Sequence, residues 1–225
     1  MPGGGSSIAP RCRNRYDAMP DLSLEIECHA RGYQVIAGVD EAGRGPLAGP
    51  VSAAAVVLPE GFSCPGLDDS KKISEKKRER LYEELVSMPG LEWSLSYAEP
   101  EEIDRINILR ATHAAMSRAV KGLKGKVDHC LIDGLAVPEF PWSHDGVVRG
   151  DGLSLSIAAA SIIAKVSRDR RMLEYAREFP EYGFERHKGY GTKQHLEALR
   201  RHGPCGIHRR SFQPVAQCTL LFKGA

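Results

Sequence analysis

Residues 33–58 read YQVIAGVDEAGRGPLAGPVSAAAVVL, and this stretch decides which fold the chain adopts. It contains two apolar runs rich in β-branched residues, one ending at Asp40 and the other spanning residues 51–58. Runs of this length and composition are typical of buried strands, and the glycines and prolines between them favour a loop. The sequence therefore predicts a β-hairpin, with Asp40 and Glu41 at the end of its first strand.

The segments around this hairpin predict further strands and several helices. Apolar runs predict strands at 91–99, 127–133 and 146–149. Helical periodicity and N-terminal caps predict helices at 22–30, 74–88, 101–123, 154–179 and 192–202. Because strands and helices do not simply alternate, the order indicates an α/β protein with a mixed sheet and helical cover rather than a doubly wound fold. Small apolar residues at 156–164 predict a helix face packed on the sheet.

The chain of 225 residues is 42% hydrophobic and 27% charged, as expected for a globular protein with one main domain. Residues 1–21 are rich in Gly, Ser, Pro and Arg and lack an apolar core, so we predict a flexible tail rather than a targeting signal. The longest mainly apolar stretch, residues 153–164, is too short to span a membrane. Six widely spaced cysteines fit a reducing compartment, and we expect a cytoplasmic protein without membrane association.

Positive charge is concentrated towards the C-terminus, although the net charge of the whole chain is only +2. Residues 165–210 contain twelve Lys and Arg against six Asp and Glu. We expect these cations to contact the phosphate backbone of a nucleic acid without sequence preference. Residues 208–210, His-Arg-Arg, fit either a phosphate contact or a surface basic run, and the sequence leaves both interpretations open.

Four carboxylates follow predicted strands at comparable positions. Asp40 and Glu41 end the first strand, Asp133 ends the strand at 127–133, and Asp151 follows the strand at 146–149. Charge at the end of an apolar strand is costly unless it is paired, solvated or metal-bound. Oxygen ligands without His or Cys suit Mg²⁺ or Mn²⁺, which leave coordination sites for phosphate. The pattern suggests a metal-dependent phosphodiester hydrolase, although Asp is also common in turns.

Two other patterns in the sequence do not predict a site. Residues 43–48 fit the loose G-x-G-x-x-G/A dinucleotide fingerprint, but the loop leads into a strand instead of a helix. Cys205 and His208 have the spacing of only half a zinc site, and the Cys28-His29 and His129-Cys130 pairs lack the expected spacing. We therefore expect neither a bound dinucleotide nor a structural zinc ion.

Residues 39–51, VDEAGRGPLAGPV, resemble the opening signature of the ribonuclease HII (type 2 ribonuclease H) family. Further motifs occur in the order typical of that family: DSKK at 69–72, LIDG at 131–134, GD at 150–151, SIAAASIIAKVSRD at 156–169, KGYGT at 188–192 and HRRSF at 208–212. The resemblance covers residues 22–214, which we take as one catalytic domain. It leaves 215–225 as a C-terminal segment whose structure the sequence does not indicate.

The resemblance implies a ribonuclease H-like mixed sheet flanked by helices, with a small C-terminal helical extension. It also implies an endonuclease that hydrolyses the RNA strand of RNA/DNA hybrids and cuts 5′ of single ribonucleotides in duplex DNA. The expected product ends are 3′-hydroxyl and 5′-phosphate. By the same resemblance, Asp40, Glu41, Asp133 and Asp151 are the catalytic residues and hold two ions, Mg²⁺ or Mn²⁺.

The resemblance also identifies candidate substrate contacts. Gly43, Arg44 and Gly45 match the loop that reads the DNA–RNA junction in the family, and Tyr190 matches its sugar-stacking tyrosine. Lys71 is a further predicted contact. Judged without the family, Tyr190 would be an ordinary loop aromatic and Lys71 a solvated lysine. The expected partners are RNA/DNA hybrid and ribonucleotide-containing duplex DNA, bound by a monomer.

Two alternative functions stay open at this point. Another ribonuclease H-like nuclease, cutting DNA strands, could use a similar carboxylate cluster, and a non-catalytic nucleic-acid-binding module could share the fold. The related type 3 ribonuclease H is disfavoured because it carries an additional folded N-terminal domain, which a tail of residues 1–21 cannot form.

Overall fold

A mixed sheet organises the part of the chain that the computed structural model describes, residues 19–70 and 72–223. Its strands are β1 (Ile36–Ala42), β2 (Val51–Val57), β3 (Glu92–Ala98), β4 (His129–Asp133) and β5 (His144–Val147). The helices are α1 (Ser23–Ala30), α2 (Glu75–Ser87), α3 (Pro100–Ile106), α4 (Ile108–Lys121), α5 (Leu155–Glu178), α6 (Phe184–His187), α7 (Lys193–His202) and α8 (Gln213–Lys223). Two short 3₁₀ turns lie at Gly150–Gly152 and Pro180–Tyr182. The predicted tail up to residue 18 and Lys71 lie outside the described residues.

The strands pair in the order β3-β2-β1-β4-β5. β1, β2 and β3 are joined antiparallel, whereas β1 pairs parallel with β4, and β4 pairs parallel with β5. The predicted hairpin and the predicted mixed sheet are thereby confirmed. Because β1 and β4 run in the same direction, the carboxylates at their C-terminal ends lie at one edge of the sheet.

Helices cover both faces of this sheet. On one face, α4 buries Ala111, Ala115 and Ala119 against alternate residues of β1 and β2. On the other face, α2 and α5 pack, and residues 156–164 of α5 are buried throughout, as predicted. A side chain at Gly38 of β1 would overlap the α5 backbone at Ser156, so this helix lies directly on the strand that carries Asp40.

The structure corrects two of the predicted element boundaries. The single helix predicted at 101–123 is two helices, since Asn107 adopts a φ of 70° and its side chain caps α4 by accepting from the Arg110 N–H at 3.0 Å. The last strand lies earlier than the predicted 146–149. Arg149 instead adopts a left-handed conformation, with a φ of 59°, and leads into the turn that holds Asp151.

The C-terminal part forms the expected helical extension, from α6 to α8. Helix α8 buries Val215 and Cys218 against Leu47 and Leu199, so the packed domain extends past the predicted boundary at 214 to residue 218. No helix within the described residues is both long enough and apolar enough to cross a membrane.

Candidate active site

Three carboxylates meet at the C-terminal edge of β1 and β4. Asp40 lies in β1, Asp133 is the last residue of β4, and Asp151 lies in the 3₁₀ turn after β5. One oxygen of each lies within 4.8 Å of an oxygen of each of the others. Asp40 and Asp151 are buried, and Asp133 is half-buried. Pairing of Val39 with Ile132 brings the following residues, Asp40 and Asp133, level with each other.

Backbone hydrogen bonds orient two of these carboxylates. Asp133 Oδ1 accepts from the Gly150 N–H at 2.7 Å, which ties β4 to the turn that carries Asp151. Asp40 Oδ1 accepts from the Glu41 N–H at 2.7 Å. The local backbone therefore holds the oxygens in place before any ligand binds.

The electrostatics of this cluster favour a bound cation. Burial raises the pKa of Asp40 well above its usual range, and the neighbouring charges of Glu41, Asp133 and Asp151 raise that pKa further. A hydrogen bond from Ser161 opposes the rise. Like charges confined in this way are relieved by a cation, and an all-carboxylate ligand set suits Mg²⁺ or Mn²⁺ better than zinc. The residues present thus fit the expected divalent metal.

Glu41, the fourth predicted carboxylate, lies beside this group but is not one of the three. Successive strand residues point to opposite faces, so Glu41 is directed away from the α5 side, where Asp40 lies. Its Oε1 lies 3.4 Å from Nη1 of Arg44, whose side chain is half exposed. The structure therefore brings together Asp40, Asp133 and Asp151, with Glu41 at their margin.

The loop that follows β1 is held by Arg209, which is fully buried. Its guanidinium donates to the carbonyls of Gly43 (2.6 Å), Arg44 (2.9 Å), Pro46 (2.8 Å) and Gly49 (2.9 Å). Burial, together with the nearby Arg168, lowers the pKa of Arg209 to about 9. The planar guanidinium thus gathers four carbonyls of one loop around a single side chain.

A second buried arginine connects this loop to the segment that carries Tyr190. Arg168 of α5 donates to the carbonyls of Pro50 (2.9 Å), Ala48 (3.2 Å) and Lys188 (3.0 Å). Burial lowers its pKa. The Gly43–Pro50 loop and the Lys188–Tyr190 segment are therefore anchored by the same helix.

These arginines correct the predicted role of the basic 165–210 segment. Arg168 and Arg209 are buried and bind backbone carbonyls, so they do not face solvent. Lys165 forms an ion pair with Asp169 at 2.7 Å. His208 and Arg209 are buried, and of residues 208–210 Arg210 alone is exposed. These three residues therefore do not form a continuous basic surface for a phosphate. Other cations of the segment, such as Arg200 and Arg201, are exposed to solvent.

The two loop glycines differ in what surrounds them. Gly43 has a φ of +95°, and a Cβ there would overlap the guanidinium of Arg168. At Gly45 a Cβ would meet only Tyr190 Cε1, at an ordinary 3.6 Å. The fold thus requires glycine at 43, whereas position 45 has room for a side chain in the protein alone.

Tyr190 lies beside Gly45 with 45% of its surface exposed. Its backbone is fixed, because its N–H donates to the His187 carbonyl at 2.9 Å and its carbonyl accepts from His195 Nδ1 at 2.9 Å. The half-exposed ring therefore has a fixed place next to the loop. Lys71 cannot be placed, since it lies outside the described residues.

Sequence reasoning missed the roles of Ser70 and Ser161 as well as those of the two arginines. Ser161 hydrogen-bonds to Asp40, and its hydroxyl lies 3.0 Å from the Ser70 hydroxyl. Both serines lie in motifs quoted above, DSKK and SIAAASIIAKVSRD. The available signal was a polar residue inside an apolar helical stretch, which local patterning alone assigns to packing.

Comparison with known proteins adds the decisive observation. The family model described as Ribonuclease HII matches residues 37–215. The chain belongs to the ribonuclease HII family. It is 56% identical over 196 residues to the ribonuclease HII of Desulfitobacterium hafniense (strain DSM 10664 / DCB-2), a match that covers 87% of this chain and 75% of that protein.

Solved structures agree on the fold. The crystal structure of ribonuclease H2 from Pyrococcus horikoshii OT3 superposes with a TM-score of 0.72 at 24% identity, covering 85% of this chain and all (100%) of that one. Bst-RNase HIII, solved in complex with Mn²⁺, gives a TM-score of 0.67 at 16% identity and covers 85% of this chain and 71% of that one. The chain therefore has the ribonuclease H-like fold. Its family membership makes it a ribonuclease H endonuclease acting on nucleic acid.

Proposed function

We propose that this protein hydrolyses the RNA strand of RNA/DNA hybrids and cuts duplex DNA on the 5′ side of a single ribonucleotide. The expected ends are 3′-hydroxyl and 5′-phosphate. The observation that carries the proposal is the group of Asp40, Asp133 and Asp151, whose oxygens lie within 4.8 Å of one another, next to a rigidly held glycine loop. Family membership supports the same reaction class.

The carboxylates would perform the metal-binding part of the reaction. Asp40, Asp133 and Asp151, with Glu41 at their margin, would hold two ions, Mg²⁺ or Mn²⁺. When bound, such ions lower the pKa of the attacking water and stabilise charge on the leaving 3′-oxygen. The Gly150 N–H and the Ser161 hydroxyl would keep the carboxylates oriented while the charge around them changes.

The loop would recognise the ribonucleotide through its 2′-hydroxyl, which both donates and accepts hydrogen bonds. Arg209 already occupies the carbonyls of Gly43, Arg44 and Pro46. We assign the 2′-hydroxyl oxygen to a backbone N–H of the loop, which donates to it, and the hydroxyl hydrogen to the second lone pair of a loop carbonyl. The space at Gly45 would admit the sugar close to the main chain.

Arg44 and Tyr190 would set the position of the neighbouring nucleotides. The half-exposed Arg44 side chain can reach a phosphate near the cut, because the interaction that it would have to break is a long contact of 3.4 Å with Glu41. The exposed ring of Tyr190 would pack on the sugar 3′ of the ribonucleotide, where an additional hydroxyl would crowd it. This arrangement favours a deoxyribose at that position.

The test compares three labelled duplexes: DNA with one ribonucleotide, RNA/DNA hybrid and all-DNA, each with Mg²⁺ or Mn²⁺ and with chelator. We expect cutting 5′ of the ribonucleotide, and no cutting after replacement of the 2′-hydroxyl by 2′-O-methyl. Asp133→Asn should abolish hydrolysis while preserving binding, since the exposed cations are intact. Glu181→Gln, which removes an exposed carboxylate elsewhere, is the matched control.

Tyr190→Ala separates recognition from general binding. We expect it to slow cutting of the single-ribonucleotide duplex far more than it weakens duplex binding. Equal cutting of all-DNA duplex would identify a DNA strand nuclease instead. Binding without cutting under every metal condition would identify a non-catalytic module.

A further inference from the structure

A second group of metal-binding side chains lies away from the carboxylates. Cys28 of α1, His129 of β4 and Asp145 of β5 each offer one ligand atom, and these atoms all lie within 4.8 Å of one another. Cys28 and His129 are 1% exposed, whereas 42% of the Asp145 side chain is exposed. The group is therefore buried on the protein side and open to solvent at its carboxylate.

The sheet explains how these residues meet. β4 and β5 are parallel with Leu131 opposite Asp145, so His129, Leu131 and Asp145 lie on one face. Cys28 packs on this face in a cluster with Leu131. His129 is the first residue of β4 and Asp133 the last, which separates the two groups by about 13 Å at roughly 3.3 Å per residue.

His129 is oriented as a ligand. Its Nδ1 is hydrogen-bonded to Ser143 Oγ at 2.9 Å, and its ring stacks on Tyr33 at a centroid distance of 4.3 Å. The other nitrogen, Nε2, lies 3.2 Å from Asp145 Oδ2 but has no partner in hydrogen-bond geometry, although it is buried. Metal-binding histidines are held in this way, with one nitrogen hydrogen-bonded and the other directed at the ion.

We propose that Cys28, His129 and Asp145 form a binding site for Zn²⁺, with solvent as the fourth ligand. Thiolate, imidazole and carboxylate are the ligands that zinc takes, and three protein ligands plus water make a common tetrahedral set. On binding, the sulfur–zinc bond forms as the Cys28 thiol releases its proton to solvent, with no change of oxidation state. The ion would link α1 to β4 and β5.

One neighbour competes with the ion. Nη1 of Arg31 contacts Asp145 Oδ2, and the Arg31 side chain is 48% exposed. It can therefore turn into solvent at little cost when a cation takes its place. Burial also raises the pKa of the Cys28 thiol, which Arg31 partly offsets. We accordingly expect weaker binding than at a four-ligand structural zinc site.

The test uses the full chain, freed of zinc and saturated with Mg²⁺ to occupy the carboxylate cluster. Co²⁺ is titrated as a spectroscopic probe of zinc sites, followed by displacement with Zn²⁺. We expect a thiolate-to-cobalt charge-transfer band that saturates at the first equivalent and disappears on adding Zn²⁺. In a separate sample of the Mg²⁺-saturated chain without Co²⁺, Zn²⁺ should raise the melting temperature.

Variants assign the band to particular residues. Cys28→Ser should abolish it, and Asp145→Asn should weaken Co²⁺ affinity more than about tenfold while leaving the fold intact, because Asp145 is partly exposed. Cys205→Ser is the matched control, since Cys205 Sγ also contacts a histidine, at 3.1 Å from His208 Nδ1. Absence of the band in the parent chain, or its persistence in Cys28→Ser, would overturn the proposal.

Discussion

At the residue scale, Gly43 and Gly45 lie on either side of Arg44 in the sequence but have different surroundings. Gly43 combines a φ of +95° with close contact to Arg168, whereas Gly45 has only Tyr190 near its missing side chain. The first glycine serves the fold. The second, under the proposed function, serves the approach of the substrate.

Gly43→Ala should destabilise the chain, and Gly45→Ala should not. Left-handed strain alone costs about 1–3 kcal/mol, and the overlap with Arg168 adds to it. Gly45→Ala should retain the parent melting temperature yet lose activity on the single-ribonucleotide duplex, because the methyl group intrudes on the sugar. Thermal unfolding and cleavage rates measured on both variants check this. A Gly45→Ala enzyme as active as the parent would show that the loop does not approach the sugar closely.

At the element scale, the loop after β1 has little regular structure of its own and depends on Arg209. Four of its carbonyls receive hydrogen bonds from that one guanidinium, and the Ala48–His208 bridge adds a short backbone pairing. The geometry of the loop is thus decided by a residue from the far end of the sequence.

Arg209→Lys should destabilise the chain by about 3 kcal/mol or more, because a single ammonium group cannot reach four carbonyls and at least two lose their donor. Denaturant unfolding measures the loss, with Arg210→Lys as a control at an exposed position. We also expect slower cleavage, since the loop is no longer held. Equal stability of the two variants would contradict the role assigned to Arg209.

Helix α7 is joined to its surroundings by two neutral histidines. His195 Nδ1 donates to the Tyr190 carbonyl, His208 Nε2 donates to His195 Nε2 at 3.0 Å, and the Cys205 N–H donates to His208 Nδ1 at 3.0 Å. Burial lowers the pKa of His195 to about 4 and that of His208 to about 3. Protonating either ring would place two donors face to face.

These depressed pKa values predict acid sensitivity of the region around Tyr190. In the unfolded chain both histidines titrate near pH 6.5. The stability that the neutral rings contribute to the folded chain is therefore fully present above that pH and is lost as the pH falls towards 4. At pH 5 the expected loss is on the order of 2 kcal/mol for His195 alone. The free energy of unfolding measured from pH 8 to 4.5 tests this, and His195→Gln should flatten the slope. An unchanged slope in that variant would assign the acid sensitivity elsewhere.

At the scale of the whole molecule, the carboxylate cluster concentrates like charges contributed by three separate parts of the chain. Burial and neighbouring carboxylates raise the pKa of Asp40, which means that its charged form is unfavourable in the folded, metal-free protein. A cation that binds only the folded state removes this penalty and stabilises the fold.

Saturating Mg²⁺ or Mn²⁺ should therefore raise the melting temperature. Ligand at one hundred times its dissociation constant contributes about 2.7 kcal/mol, or roughly 5–10 °C for a chain of this size. Asp40→Asn should melt at or above the parent temperature without divalent ions, because it removes a buried charge, and should gain little when they are added. Scanning calorimetry with chelator, Mg²⁺ and Mn²⁺ checks both arms. A parent chain whose melting temperature does not change when the ions are added would argue against a metal site at this cluster.

Several features could be predicted from the sequence because they depend on local patterning. The apolar runs around Asp40 and Asp133 identify β1 and β4, and parallel pairing then places both carboxylates at one edge. The glycines after Glu41 indicate the loop, and the motif order indicates the family. Asn107 marks the limit of such reasoning, since continuous helical periodicity concealed the break between α3 and α4.

Roles that depend on contacts between distant segments emerge from the tertiary structure and not from local sequence patterns. The alternation of β1 sets Glu41 apart from the three clustered carboxylates, and burial converts Arg168 and Arg209 from expected phosphate contacts into supports for the loop. Cys28 and His129, unpromising as zinc ligands by spacing, meet because α1 packs on the sheet face that carries β4. Local sequence determines periodicity and charge, whereas the partner of a buried polar group is set by long-range packing, which no local pattern encodes.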